Sequence, residues 1–275
     1  MKVLITRTLT SLLYAIVVIA GILLHPFLFA VVFLGLTILA LLEFYRMVKM
    51  AGGEPQIWSG LVITIVFFIS IFGFVAGILP SIFIFSVIPL LFLVFIVELY
   101  RKKPFPIANI AYTLAGFLYI GFSMSLSNLL AFPLNSGKHV FYPWILFGIT
   151  ITLWLYDSGA YLIGTPLGKH RLFERISPKK SWEGVIGGGI IAMLAGVLNA
   201  WLFQSIELTT WLLISFVVVV FGTFGDLVES MMKRSLGIKD SGNLLPGHGG
   251  FLDRLDSFIF TVPMVVALLY LIGIK

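Results

Sequence analysis

Apolar runs about twenty residues long recur from one end of this 275-residue chain to the other, and that length spans the hydrocarbon core of a bilayer. Nine can be marked, at roughly 9–25, 27–45, 59–79, 81–100, 107–132, 141–164, 185–205, 208–230 and 257–273. Lipid admits only helices or closed barrels. Barrel strands alternate in polarity, whereas these segments run apolar throughout, so all are read as helices. With 60% hydrophobic and 11% charged residues, too little polar surface exists to cover a water-soluble core. The expected fold is an all-α polytopic membrane protein of about nine transmembrane helices, taken as one integral membrane domain over residues 1–275. Cysteine is absent, which excludes disulfides and thiolate metal sites. The first run, Ser11 to Leu24, is followed at once by His25-Pro26 and a second run. It is read as a retained helix and not a cleaved leader.

Charge sets the expected orientation. With the N-terminus on the cytoplasmic side, only Lys138 and Lys275 of the 18 Lys and Arg fall on the outer side. The positive-inside rule therefore favours this placement strongly. The net charge of +6 then lies beside anionic headgroups, so membrane lipids are the expected partner and nucleic acid is not.

Up to about residue 140 the charges sit at helix ends and read as anchors. Beyond it, over 141–275, carboxylates, glycines and basic residues gather in two loops and the adjoining helix ends. Tyr156-Asp157-Ser158-Gly159-Ala160-Tyr161 lies near the inner end of the sixth span. A carboxylate at mid-span costs about 2.5–3.5 kcal/mol, so such a group faces a partner or water. Asp157 reads either as a packing residue paired with a loop lysine or as a wall of a polar cavity.

A second cluster runs from Lys169 to Gly184 and includes Ser177-Pro178-Lys179-Lys180-Ser181-Trp182-Glu183-Gly184. Ser177-Pro178 suits a helix N-cap followed by proline at the first helical position. Free amides there, with Lys179 and Lys180, would attract an anion. An ordinary positive-inside loop is the plainer alternative.

The third cluster holds Asp226, Glu229, Ser230, Lys233-Arg234, Lys239-Asp240, Pro246-Gly247-His248-Gly249-Gly250 and Asp253-Arg254-Leu255-Asp256. Asp226, Glu229 and Lys233 share one helix face, as do Asp253 and Asp256. Carboxylates one turn apart repel unless a cation sits between them, and a hard divalent ion prefers such oxygen donors. The glycines let backbone approach a ligand without interference from Cβ. Taken singly, the glycines could make only a tight turn and Asp253-Arg254 only a local ion pair.

On these residues the chain resembles the phosphatidate cytidylyltransferase (CDP-diacylglycerol synthase) family. The resemblance rests on Ser230, Lys233-Arg234, Lys239-Asp240, Pro246 to Gly250 and Asp253-Arg254-Leu255-Asp256, with support from Ser177 to Gly184 and Asp157 to Tyr161. Where the family usually has threonine, this chain has Ser181. The resemblance covers roughly the last 120 residues. It implies a transferase acting in phospholipid biosynthesis, which joins CTP to phosphatidic acid with release of pyrophosphate. It further implies a magnesium ion, a second cation being left open, held by Asp226, Asp253 and Asp256, with Lys239 also catalytic. Lys179, Lys180, Ser181, Lys233, Arg234, Gly247, His248, Gly249, Gly250 and Arg254 would bind substrate. The site would lie at the cytoplasmic face of the inner (plasma) membrane.

Three rivals are weaker. A CTP-dependent lipid kinase would release CDP instead of pyrophosphate. A CDP-alcohol phosphotransferase would carry an Asp-Gly-x-x-Ala-Arg element, which is absent. A cation transporter would place its charges near the bilayer midplane on broken helices. Gly187-Gly188-Gly189 suits close helix packing, within one chain or across a homodimer.

Overall fold

The computed structural model describes residues 2–132, 139–204, 206–238, 241–242 and 249–274. The elements are α1 (Lys2–Leu23), α2 (Pro26–Met50), α3 (Ile57–Val75), α4 (Val87–Arg101), α5 (Pro106–Gly116), α6 (Trp144–Leu167), β1 (Arg171–Phe173), β2 (Ser177–Ser181), α7 (Trp182–Leu202), α8 (Leu208–Ser235) and α9 (Leu252–Leu271). A 3₁₀ turn over Ser81–Ser86 leads into α4. A π-helical turn over Phe117–Phe122 and two short helical pieces extend α5 to Ala131. Among the described residues eight helices are long and apolar enough to cross a membrane. The first of the nine expected spans corresponds to a shorter apolar stretch, Thr8–Leu23, within α1.

The chain divides into two compact units, Met1–Tyr142 with Leu236–Leu255, and Pro143–Ser235 with Asp256–Lys275. In the first unit α1 and α2 form the hairpin expected at His25-Pro26. His25 caps α2 by accepting from the Phe27 N–H (3.3 Å), and Pro26 takes the first helical position, where its missing N–H is not needed. Further along α2, Tyr45 donates to the Thr113 carbonyl of α5 (2.8 Å). Gly60 and Gly116 leave room for its ring.

The same unit contains a saturated polar knot. Glu98 of α4 is 5% exposed. It accepts from Gln56 Nε2 (2.6 Å), Arg101 (2.8 Å) and Asn109 Nδ2 (2.9 Å). Three segments, α4, α5 and the α2–α3 connection, are tied together this way, and Arg101 also donates to the Glu54 carbonyl (2.9 Å). A carboxylate taken out of water is tolerable only with such a full set of donors.

The second unit holds a close seam between α6 and α7, where glycines let main chain lie against main chain at two points. A Cβ added at Gly184 would lie 2.8 Å from the Ala160 carbonyl oxygen, and one at Gly188 would lie 2.8 Å from that of Tyr156. The close packing expected of Gly187-Gly188-Gly189 is thus realised within the chain at Gly187 and Gly188, and Gly184 joins them. Gly189 turns elsewhere, toward Val219 of α8 at an ordinary 3.6 Å. Asn199 of α7 adds hydrogen bonds to the Gly148 carbonyl (3.2 Å) and Thr152 Oγ1 (3.0 Å) of α6.

The connection between α6 and α7 corrects one expectation. Ser177-Pro178 does not cap a helix. It opens strand β2, which pairs antiparallel with β1 as a short hairpin. The cap is Ser181, whose Oγ accepts from the Gly184 N–H (3.2 Å). Ser181 has the same cap chemistry, and it directly precedes the apolar run and the first-turn acid Glu183, which suits the positive end of the helix dipole.

Two stability predictions follow from this packing. Gly188→Ala should lower the thermal midpoint of the detergent-solubilised protein by an overpacking cost of about 1–3 kcal/mol, while Gly189→Ala should leave it near wild type. Equal effects would show that the seam is looser than its geometry. Ser181→Ala should cost about 1 kcal/mol through the lost cap, with Ser181→Asp restoring most of it, as read by the same melt.

Candidate active site

In the second unit the polar residues gather where α6, β2, α8 and α9 meet. Asp226, near the end of α8, receives Lys180 Nζ from β2 at 2.6 Å on Oδ2. Its other oxygen accepts from Ser230 Oγ, one turn further on (3.1 Å). Asp256, on the first turns of α9, takes the Ser257 N–H on Oδ1 (2.6 Å). Gly225 brings the two helices together here. A Cβ on it would lie 2.5 Å from the Asp256 carbonyl oxygen, so backbone meets backbone beside both aspartates. Ser257 Oγ fastens the same crossing by donating to the Gly222 carbonyl (3.0 Å). Asp157 of α6 lies within electrostatic reach of Asp226, Asp256 and Lys180. Its neighbour Tyr156 hydrogen-bonds to Thr223 of α8.

Three carboxylates and one ammonium give this cluster a formal charge of −2, in a setting poorer in water than bulk. Lys180 already answers part of that charge. The donor atoms are all carboxylate oxygens, which suits a hard divalent cation. Among the described residues no three acidic or histidine side chains enclose a metal by themselves. Magnesium is ordinarily held by one or two carboxylates, with waters and substrate phosphates filling its other positions. The pair Asp226 and Asp256 fits that requirement.

The expected face of Asp226, Glu229 and Lys233 divides its loyalties. Glu229 is fully buried and pairs with Lys233 one turn on, whereas Asp226 pairs with Lys180. Lys233 itself is buried. Arg234 reaches back across to the Ile176 carbonyl (3.4 Å), linking the end of α8 to the hairpin. Lys179 is exposed on β2. The hairpin is closed from below by Glu183, which accepts from the His170 N–H (3.1 Å) and His170 Nδ1 (2.6 Å).

The remaining site residues belong to the first unit. Asp253 Oδ2 accepts three hydrogen bonds, from the Ser241 N–H (3.0 Å), Ser241 Oγ (3.0 Å) and the Gly250 N–H (2.7 Å). Gly249 is left-handed, with φ +82°, a conformation that favours glycine. Arg254 is exposed on the first turn of α9. Lys239, Gly247 and His248 lie outside the described residues. Glu43 of α2, unmarked in the sequence reading, enters this group. Its Oε2 accepts from Ser241 Oγ (3.1 Å) and the Leu252 N–H (2.9 Å). The signal that could have found it is the one that singled out Asp157, a carboxylate inside an apolar run.

Comparison with known proteins agrees with this chemistry. A family model described as the cytidylyltransferase family matches residues 5–272. A phosphatidate cytidylyltransferase of Staphylococcus saprophyticus is 40% identical over 172 residues, 62% of this chain and 60% of that protein. The match therefore spans less than two thirds of that relative's length. One from Staphylococcus aureus is 38% identical over 187 residues, 67% of this chain and 68% of its own. With nearly its whole length matched, the chain belongs to the cytidylyltransferase family.

Proposed function

We propose that this protein transfers a cytidylyl group from CTP to phosphatidic acid, giving CDP-diacylglycerol and pyrophosphate. The observation that carries the reading is the Lys180–Asp226 pair with Asp256 packed against it across Gly225. It supplies a cation-seeking carboxylate pair and a phosphate-seeking ammonium in one place. Family membership and the names of the relatives support the same reading.

The chemistry asks little of the protein in proton transfer. A lipid phosphate monoester is ionised near neutral pH, so its oxygen is already a nucleophile. That oxygen attacks the α-phosphorus of CTP. The bond from the α-phosphorus to the bridging oxygen breaks, and pyrophosphate leaves with that electron pair. Rate then depends on in-line positioning and on neutralising the triphosphate. Asp226 and Asp256 would hold a magnesium ion. When bound, the ion would neutralise charge on the triphosphate. Lys180, half-buried beside Asp226, would bind a phosphate of CTP. Lys179, Arg254 and Lys239 would add positive charge, and the glycines Gly247 to Gly250 would admit the nucleotide close to the backbone.

The membrane placement suits both substrates. Acyl chains remain among the helices while CTP arrives from water at the cytoplasmic face, where the positive-inside rule puts the basic hairpin.

The deciding experiment incubates purified protein with CTP, phosphatidic acid and magnesium, and scores CDP-diacylglycerol and pyrophosphate. Formation of both, with none in the presence of a chelator, is expected. Release of CDP with a phosphorylated alcohol would overturn the reading. Asp256→Ala should drop turnover to background with membrane insertion intact. Lys180→Ala should lower kcat/KM for CTP roughly tenfold or more, the scale of one charge-assisted hydrogen bond, with the thermal midpoint little changed. Unaltered CTP dependence would remove Lys180 from the nucleotide site.

A further inference from the structure

We infer that Glu43 is a positioning residue for the catalytic loop. It acts from α2, outside the segment whose motifs carry the chemistry, through Ser241 on Asp253. Its side chain is 1% exposed. It holds the two described ends of the stretch between α8 and α9. At one end is Ser241, whose Oγ lies 3.1 Å from Glu43 Oε2 and 3.0 Å from Asp253 Oδ2. At the other is the Leu252 N–H, 2.9 Å from Glu43 Oε2, one of the unsatisfied donors that open α9.

Two glycines show that the fit is tight. A Cβ on Gly242 would lie 2.6 Å from Glu43 Oε1, and one on Gly250 would overlap the Glu43 carboxylate. Backbone at Gly242 and Gly250 therefore lies directly against the carboxylate, beside the Ser241 hydroxyl. A buried carboxylate with so specific a set of donors fixes where those donors sit. One donor is shared with Asp253: Ser241 Oγ lies within hydrogen-bond distance of both acids, its single proton serving one of them at a time, and Gly250, whose N–H bonds Asp253 (2.7 Å), packs against the Glu43 carboxylate. Remove Glu43, and Ser241 and the start of α9 lose their common anchor. A helix from the other half of the sequence thus sets where Ser241 and the start of α9 sit.

The kinetic side of this inference rests on the cytidylyl-transfer reading, but the structural side does not. The test combines hydrogen exchange of the detergent-solubilised full chain with CTP turnover on phosphatidic acid, for wild type, Glu43→Ala and Glu43→Gln. In Glu43→Ala, exchange in peptides covering 249–252 should quicken roughly tenfold or more and kcat/KM for CTP should fall by a similar factor, the scale of a lost buried hydrogen bond. Exchange elsewhere should change little. Glu43→Gln keeps an acceptor oxygen and should recover most of both. Unchanged loop exchange in Glu43→Ala would overturn the proposal, whatever the activity did. Uniformly faster exchange over the whole chain would also overturn it, since that marks a general stabilising role. If Glu43→Ala fails to fold, Gly242→Ala displaces the carboxylate instead and should give the same local signature; its absence overturns the proposal. A wild-type protein that makes no CDP-diacylglycerol would sink the functional reading alone, and the anchor would still be judged by exchange.

Discussion

In a chain that is almost all apolar helix, an ionised carboxylate has little water to fall back on. Among the described residues, four such groups have met a cation or a hydrogen-bond donor, and those meetings fix parts that apolar packing leaves undetermined. Glu98 collects Gln56, Arg101 and Asn109. Glu229 holds Lys233. Asp226 draws Lys180 off the hairpin, and Glu43 gathers Ser241 and the Leu252 amide. Hydrophobic burial is non-directional and places helices side by side without saying where a loop must stop. The charge-assisted contacts are directional and short, and they give the loops their positions.

This division suits a reaction whose difficulty is electrostatic. Joining two phosphate-bearing substrates needs negative charges brought together in line, and that requires fixed positive charge more than a base. In the proposed reading, the Asp226–Asp256 pair, by attracting a cation, and Lys180 would supply it. Both are mounted on secondary structure, with Asp226 on α8, Asp256 on α9 and Lys180 on β2. Rigid mounting matters because small misplacement is costly in rate.

Much of this could be read from residue order. The apolar runs fall on the helices, and the Gly-rich stretch of the seventh span proved to be a packing seam. The charged clusters named beforehand include the residues that meet at Asp226. What escaped has physical reasons. Ser177-Pro178 and Ser181 both carry N-cap chemistry, and only the pairing of β1 with β2 decides between them. A three-residue strand such as Arg171–Phe173 is too short to show a period. Lys233 was grouped with Asp226 by helix spacing, but Glu229 sits four residues before it and won the ion pair. Glu43 acts across 198 residues on Ser241, and no local pattern can reveal a partner that distant. Asp157 was legible because its neighbours were polar, whereas Glu43 was hidden at the end of a run read as an anchor.

The α6–α7 seam has a mechanical consequence. Where helices meet through long side chains, rotamer changes give the interface some compliance. At Gly184 and Gly188 main chain lies directly on main chain, and no rotamer is available to absorb a shift. The two helices must move as one stiff strut. The hairpin bearing Lys180 joins the end of one to the start of the other. Any swing of that lysine must therefore come from its own flexible stem or from bending of the hairpin, because sliding of the helices beneath it is blocked.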